Sequence, residues 1–299
     1  MDFLRWKVLE RSPIPLAYTP PVVAIDSSAQ RKLLELEPAV TWIGHSSFFL
    51  RVAGQSILLD PVFSDFCAPV RLPRLKRRVP PGLPFESVAR PDVVLITHNH
   101  YDHLDLPTIR RLPSETEFIV PQGLAHWFGK HGRNNVRELG WWESINLEGL
   151  RVTSVPAQHF SSRTLWDRNR TLWCGWVLQS GSETVYCAGD TGYCATFREI
   201  GERFGPMDLS LIPIGAYAPR WFMQPVHVDP AQAVQIHMDL RSKLSVACHW
   251  GTFCLTDEPM DEPPKLLARA LSKAHIPPQT FRVLAIGETL TVRNENSPA

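Results

Sequence analysis

The segment 98–103 is the sequence feature that most constrains the fold and the chemistry of this chain. It contains three histidines and one aspartate in six positions, in the order His-x-His-x-Asp-His. The apolar run 93–96 directly precedes it and predicts a buried strand that ends where the histidines begin. Such side chains are ligands for zinc, and also for iron or manganese. Because adjacent residues can hardly all reach one tetrahedral ion, the spacing favours two ions, with His98 and His100 facing one and Asp102 and His103 facing the other.

Three further predicted strands also end at a residue that can bind a metal. Apolar stretches precede His159, Asp190 and His249, and Asp190 lies between two glycines that let the backbone approach closely. Together with the first cluster they supply five histidines and two aspartates, enough for two ions that share a carboxylate. The sequence contains neither a Gly-x-Ser-x-Gly nor a Gly-Lys-Ser/Thr motif. It therefore favours a hydrolytic site with two metal ions.

Composition places the chain among globular proteins without a strong charge bias. Its 299 residues are 44% hydrophobic and 20% charged, and the formal net charge is +1, so we expect no nucleic-acid partner. Six cysteines form no Cys-x-x-Cys pair, the first residues lack a signal-peptide pattern, and no apolar run is long enough to span a membrane. These features predict a cytoplasmic protein that is at most peripheral at a membrane.

The pattern of apolar residues predicts an α/β fold without strict alternation of strands and helices. Three strands are predicted within residues 40–60 with no helix between them, and a hairpin is predicted from residues 172–178 and 183–188. Residues 1–38 show little periodicity and are interpreted as an N-terminal arm, with one short amphipathic helix within residues 3–9.

The order of the candidate ligands resembles the metallo-β-lactamase superfamily. Longer motifs narrow the resemblance to the N-acylphosphatidylethanolamine-hydrolysing phospholipase D family, and they comprise segments 41–45, 59–64, 188–193, 212–217, 219–223 and 249–253. The resemblance implies one hydrolase domain over residues 39–299. Its expected fold is an αββα sandwich, in which helices flank two mixed sheets and a two-metal site opens at one edge.

The resemblance also implies a role for each matching residue. His98, His100 and His159 would hold one zinc ion, Asp102, His103 and His249 the other, and Asp190 would bridge the two. Asp102 and His227 are the catalytic candidates, and Tyr101 and His227 match residues that contact the substrate phosphate. His227 precedes a predicted helix start, from which it could donate to a phosphoryl oxygen or to the leaving group.

The implied reaction is the zinc-dependent hydrolysis of a phosphodiester. A metal-bridged hydroxide would attack the phosphorus of an N-acylphosphatidylethanolamine-type phospholipid and release N-acylethanolamine and phosphatidic acid. The alternatives are a sugar-phosphate lactonase or other carboxyl-centred hydrolase, a phosphodiesterase with another substrate, an iron-dependent redox enzyme, and a binding protein without activity. The complete ligand set argues against the last, and the lack of a flavodoxin-like domain argues against a flavin-linked redox enzyme.

A basic stretch predicts a contact with phospholipid. Its five cationic residues alternate with leucines and match a basic stretch of the family, and they are Arg71, Arg74, Lys76, Arg77 and Arg78. Such a stretch can face an anionic headgroup or an acidic membrane surface. Aromatic residues, among them Trp166 and Trp221, could line a groove for the acyl chains. A homodimer is a further expectation from the resemblance.

Overall fold

Two seven-stranded sheets form the centre of the fold in a computed structural model that describes residues 18–23, 37–181 and 183–292. In spatial order the first sheet contains β14 (Thr289–Thr291), β1 (Ala39–Gly44), β2 (Ser47–Val52), β3 (Gln55–Leu59), β4 (Val93–Leu95), β5 (Glu117–Pro121) and β6 (Val136–Leu139). The second contains β13 (Phe281–Arg282), β12 (Ser245–Cys248), β11 (Leu209–Pro213), β10 (Glu183–Cys187), β9 (Gly175–Ser180), β8 (Leu150–Val155) and β7 (Ser144–Leu147).

The directions of the strands bring seven strand ends to corresponding edges of the two sheets. In the first sheet β3 and β4 are parallel, and β1 shares their direction because β2 lies antiparallel to both β1 and β3. In the second sheet β10, β11 and β12 are parallel, and β8 shares their direction because β9 lies antiparallel to both β8 and β10. The carboxyl ends of strands that run the same way meet at one edge of a sheet. Residues that follow these ends can therefore converge on one site.

Helices cover the outer faces of both sheets. They are α1 (Leu106–Arg111), α2 (Ala125–Lys130), α3 (Thr196–Phe204), α4 (Arg220–Met223), α5 (Pro230–Asp239) and α6 (Glu262–Lys273). Ile109 of α1 and Phe128 of α2 belong to one apolar cluster with Phe118 of the first sheet. A larger cluster unites residues of both sheets, such as Trp42 and Trp176, with the inner faces of α3, α5 and α6. The predicted αββα sandwich with two mixed sheets is confirmed.

Two elements differ from the sequence prediction for identifiable reasons. Strand β7 was not expected, because it lies at a sheet edge with partly exposed side chains and has no continuous apolar run. The first strand of the predicted hairpin begins only at Gly175, because the N–H groups of Leu172 and Cys174 donate instead to the carbonyls of Gln122 (2.8 Å) and Thr97 (2.9 Å). These bonds tie the second sheet to loops of the first.

The N-terminal part is described only over residues 18–23. There the carbonyl of Pro21 accepts from the N–H of Ile286 and the N–H of Val23 donates to the carbonyl of Ile286, both at 2.9 Å, so this piece is held against the body. The short helix expected within residues 3–9 lies outside the described residues. Among the residues that the structure describes, no helix has the length and apolar character needed to cross a bilayer.

Candidate metal centre

Loops at the carboxyl ends of β4, β8 and β10 form the first group of candidate ligands. His98 Nε2 lies 2.8 Å from His100 Nδ1, and His159 Nε2 lies 3.2 Å from the same atom. Asp190 Oδ2 completes the group at 3.8 Å from His98 Nε2 and 3.7 Å from His159 Nε2. Each of the four residues offers one ligand atom within 4.8 Å of the others, which is the spacing of donors around a single ion.

A second group lies beside the first and shares Asp190 with it. Asp102 Oδ2 lies 2.9 Å from His45 Nε2, 3.4 Å from His249 Nε2 and 3.6 Å from His103 Nε2. Asp190 Oδ2 lies 3.1 Å from His249 Nε2 and 3.2 Å from His103 Nε2. The structure thus brings all seven predicted ligands together, in the predicted division and with Asp190 between the two groups, and it adds His45 to the second.

Hydrogen bonds on the far side of the imidazoles orient them toward the centre. Asp60 is fully buried, and its Oδ2 accepts from His103 Nδ1 (2.7 Å) and from the hydroxyl of Thr97 (2.6 Å). The hydroxyl oxygen of Thr97 in turn accepts from His98 Nδ1 at 3.0 Å. With their Nδ1 atoms protonated, His98 and His103 present Nε2 lone pairs to the centre, as metal ligands require.

His159 is also oriented by a hydrogen bond, and its partner lies in a loop that packs closely against Gly192. Its Nδ1 donates to the carbonyl of Val226 at 3.0 Å. This loop passes so close to Gly192 that a Cβ there would lie 2.5 Å from the carbonyl oxygen of Pro225. The second glycine after β10 is therefore required for packing, in agreement with the expectation of a close backbone approach.

Burial and mutual attraction set the charges of the central residues. Burial alone would raise the pKa of Asp190, but His103 and His249 hold it well below its usual range. Conversely, burial alone would lower the pKa of His103, but Asp190, Asp102 and Asp60 raise it well above its usual range. Burial alone would also lower the pKa of His249. The negative charge of Asp190 favours its charged form, and the pKa is raised to about 9. The carboxylates are thus ionised and strongly attract cations.

The donor set fits two divalent ions. Asp190 Oδ1 is buried and has no hydrogen-bond partner among the described residues, and the buried Nε2 atoms of His103 and His249 face carboxylate oxygens at 3.1–3.6 Å. Leaving a buried polar group unpaired costs about 1–3 kcal/mol, so such atoms normally have a partner. Imidazole nitrogens that face each other at 2.8 Å, as those of His98 and His100 do, can share only one proton. Metal ions would satisfy these lone pairs, and nitrogen with carboxylate oxygen suits zinc, iron or manganese.

The two predicted substrate-contacting residues lie beside this centre. The ring of His227 is 5.0 Å from that of His159 and 5.3 Å from that of His249, and its Nδ1 has no described partner. Burial lowers the pKa of His227 to about 3 although Asp190 opposes the shift, so the ring is neutral. The hydroxyl of Tyr101 donates to the carbonyl of Arg163 at 3.1 Å. It can donate to a phosphate only after that bond breaks, and its role stays a prediction.

A cavity of about 700 Å³ adjoins the ligand loop through Tyr101. Its wall also includes Arg71, Trp127 and Thr164. Two loops that contribute to the wall expose large apolar side chains, namely Val70 (52% exposed), Leu72 (47%), Leu165 (90%) and Trp166 (81%). The wall itself combines apolar side chains with charged ones such as Arg71 and Asp167, and the exposed apolar side chains are their neighbours along the chain.

The burial of Arg77 contradicts part of the predicted membrane contact. It is 6% exposed, donates to the carbonyls of Val62 and Ser64, and lies over the ring of Phe253 at 5.2 Å. A side chain used to hold the loop internally cannot face a bilayer, so including Arg77 was wrong. Arg71 and Lys76 are exposed, whereas Arg74 and Arg78 are partly buried.

Sequence reasoning missed Asp60 and His45 as parts of the centre. Asp60 is the last residue of a predicted strand and His45 lies in the turn between two predicted strands. Both fall within motifs of the resembled family, but neither belongs to a cluster of potential ligands along the chain. A signal is visible only in the backbone, where both adopt positive φ, 40° at Asp60 and 55° at His45. Non-glycine residues held in this region are concentrated at functional sites.

Comparison with known proteins assigns the class. Residues 55–250 match the model of the β-lactamase superfamily domain. The chain therefore belongs to this family, the metallo-β-lactamase superfamily, and is a metal-dependent hydrolase. The match includes every predicted metal ligand.

Individual relatives show which members of the superfamily this chain is similar to. The chain is 38% identical over 272 residues to an uncharacterised protein of Mycobacterium tuberculosis, covering 89% of this chain and 70% of that protein. It is 38% identical over 226 residues to N-acyl-phosphatidylethanolamine-hydrolyzing phospholipase D 1 of Caenorhabditis elegans, covering 71% of this chain and 64% of that protein. Among solved structures, the metallo hydrolase Igni18 of Ignicoccus hospitalis superposes with a TM-score of 0.64 at 25% identity, over 84% of this chain and 97% of that one.

The affinity for zinc should rise with pH between 6.5 and 9. His249, with its pKa raised from 6.5 to about 9, carries a proton below that value, and a ligand nitrogen must lose it before it binds a metal. One competing proton weakens binding by about tenfold for each pH unit below the pKa. Competition titrations against a chelator of known pH dependence would measure the slope. An affinity that stays constant across this window would contradict the prediction.

Proposed function

We propose that this protein is a zinc phosphodiesterase that hydrolyses N-acylphosphatidylethanolamine-type phospholipids to N-acylethanolamine and phosphatidic acid. The observation that carries the proposal is the pair of ligand groups that share Asp190, next to a cavity of about 700 Å³ whose wall loops expose large apolar side chains. The 38% identity to a Caenorhabditis elegans enzyme named for this reaction supports the choice of substrate.

The residues of the chain would divide the work between metal binding and substrate orientation. Two zinc ions, one held by His98, His100 and His159 and the other by Asp102, His103 and His249, with Asp190 between them, would supply Lewis acidity that lowers the pKa of water and stabilises charge on phosphoryl oxygens. The neutral ring of His227 can donate its single N–H to a phosphoryl oxygen but has no second proton to give. Its proposed part is therefore to orient the phosphate rather than to protonate the leaving group.

Hydrolysis would consume one water molecule. Its oxygen would join the phosphorus, the bond from phosphorus to the ethanolamine oxygen would break, and one proton of the water would pass to that oxygen. The hydroxyl of Tyr101 would exchange its bond with the Arg163 carbonyl for one with the substrate. The lipid tails would occupy the adjoining cavity, whose wall combines apolar side chains with Arg71.

The decisive experiment is an assay of zinc-loaded protein on vesicles that contain N-acylphosphatidylethanolamine, in water enriched in ¹⁸O. We expect N-acylethanolamine without label and phosphatidic acid with one ¹⁸O atom, detected by mass spectrometry. Sugar-phosphate lactones and simple phosphodiesters should be tested in parallel. Opening of lactones with no release of N-acylethanolamine would overturn the assignment of a lipid substrate. Activity with iron but not with zinc would overturn the assignment of zinc as the metal.

The protein would reach its substrate by peripheral contact with the membrane. Arg71 lines the cavity and lies between the exposed side chains of Val70 and Leu72, while the tip formed by Leu165 and Trp166 belongs to the second loop of the same cavity. Apolar tips can enter the interfacial region while cations attract anionic headgroups. Arg71, Arg74, Lys76 and Arg78 would supply this attraction, without Arg77.

Replacing Leu165 and Trp166 together by serine should weaken binding to vesicles. Partial burial of each side chain in the interface is worth about 1 kcal/mol or more, so the partition coefficient should fall by roughly tenfold to a hundredfold. Cosedimentation with vesicles would measure it, while turnover of a water-soluble phosphodiester should not change. Met238→Ser, on the outer surface of α5 and 41% exposed, is the matched control. Equal vesicle binding by the double variant and the control would refute the proposed contact.

A further inference from the structure

His45 is a buried imidazole of the metal centre that is not among the predicted ligands. It occupies the turn between β1 and β2, is 1% exposed, and has its Nε2 atom 2.9 Å from Asp102 Oδ2. Its ring centroid lies 4.1 Å from that of His249. Its φ of 55° places it in the left-handed region, which costs a non-glycine residue about 1–3 kcal/mol. A strained backbone and a buried polar ring persist together only where the surroundings fix them.

Three hydrogen bonds hold the backbone of His45 in this conformation. Its carbonyl accepts from the indole N–H of Trp42 (2.8 Å) and from the backbone N–H of His249 (3.1 Å). Its own N–H donates to the hydroxyl of Thr252 at 2.6 Å. Two of these bonds come from the loop that follows β12, so the turn of the first sheet is joined to the ligand loop of the second. The position of the His45 ring is thereby fixed relative to both sheets.

The side chain can either bind a metal directly or hold Asp102. A neutral imidazole has one N–H and one lone pair, and an ionised carboxylate only accepts. At 2.9 Å from Asp102 Oδ2, His45 Nε2 therefore donates and has no lone pair for an ion. The other imidazoles near this oxygen, those of His103 and His249, lie further away and are themselves predicted ligands. His45 is thus the group free to hold Asp102 when metals are bound.

We propose that His45 is a positioning residue that donates its Nε2–H to Asp102 and so fixes this carboxylate for the metal ion of the second group. It serves Asp102 as Asp60 serves His103 and as the Val226 carbonyl serves His159. Loss of such an outer partner commonly lowers metal affinity by about 10- to 100-fold. The inference rests on the part of the proposed function that has two metal ions bound. It does not require the lipid substrate, because zinc affinity is measured without substrate.

Two substitutions of His45 by amide side chains distinguish the effect of the hydrogen bond to Asp102 from the effect of the imidazole ring. The side chain of His45→Asn is too short to reach Asp102, and asparagine tolerates positive φ better than most residues, so this variant should fold. The amide nitrogen of His45→Gln reaches about as far as Nε2 and can replace the bond. We expect His45→Asn to weaken one of two zinc equivalents by about 10- to 100-fold in a chelator competition, and His45→Gln to restore most of the affinity. The other equivalent should be unaffected.

The outcomes are distinguishable by affinity and by spectroscopy. If His45→Asn binds both equivalents with the affinity of the unchanged protein, the proposal is overturned. If both variants lose affinity equally and shift the visible bands of the Co²⁺-loaded protein alike, His45 is a direct ligand and the positioning role is wrong. Should a histidine variant fail to fold, the unchanged protein loaded with ¹¹³Cd²⁺ keeps the proposal testable, because nuclear spin coupling between the metal and His45 Nε2 would show a direct ligand and overturn the proposal.

Discussion

Replacing Asp190 by asparagine is expected to abolish hydrolysis and to deplete the protein of metal. Asp190 Oδ2 lies 3.1–3.8 Å from ligand nitrogens of four histidines, two in each group. The amide removes the one negative charge that both groups share, and its NH₂ group would face lone pairs of the imidazoles. Loss of several kcal/mol of charge stabilisation corresponds to a rate lower by about 10³-fold or more.

Elemental analysis and initial rates would check this expectation. Metal content should fall from about two ions per chain to one or fewer, as expected when a bridging carboxylate of a two-metal site is lost. Asp239→Asn is a matched control, because it makes the same change in charge on α5, where the carboxylate accepts from the hydroxyl of Tyr193 at 2.7 Å. Full activity of the Asp190→Asn variant with two bound ions would refute the bridging role.

Replacing Asp60 by alanine is expected to cause the largest loss of stability. This fully buried carboxylate accepts from the N–H and the hydroxyl of Thr97 and from Nδ1 of His103, at 2.6–2.8 Å. The substitution leaves three buried donors without an acceptor and removes one of the three carboxylates that favour the charged form of His103. Breaking a buried charged pair of this kind costs about 3–5 kcal/mol. Because His103 also loses its orientation, zinc affinity should fall by about 10- to 100-fold.

Urea unfolding and zinc competition on the same preparation would test both effects. Asp92→Ala is the matched control, since Asp92 accepts from the N–H and the hydroxyl of Ser56 but is exposed and lies outside the metal centre. That control should lose about 1 kcal/mol, the usual net value of such bonds, and keep its zinc affinity. Equal zinc affinity in Asp60→Ala and the control would show that Asp60 does not orient His103.

Local sequence was sufficient to find the ligands that follow buried strands. The cluster of His98, His100, Asp102 and His103 is readable because neighbouring residues of complementary chemistry follow an apolar run. His159, Asp190 and His249 were weaker signals singly, and they became strong because they complete a set for two ions. The αββα class followed from motif resemblance rather than from periodicity, whereas a hydrolytic two-metal site was already indicated by the set of ligands.

Residues whose contribution depends on distant contacts were not accessible in this way. Strand β7 has no apolar run because it pairs at a sheet edge, and the burial of Arg77 depends on carbonyls of Val62 and Ser64 that its position in a basic stretch does not reveal. A basic stretch looks the same in sequence whether its cations face solvent or the interior. Only the folded chain distinguishes the two.

By itself, the sequence determined which residues can bind metal, because ligand chemistry is a property of the side chain and strand ends are visible as breaks in apolar runs. Which groups orient these metal ligands is visible only in the tertiary structure. His45 and Asp102 are separated by 57 residues along the chain, and Asp60 and His103 by 43. A hydrogen bond depends on distances of tenths of an ångström and on angle, and these are set only when both sheets pack together.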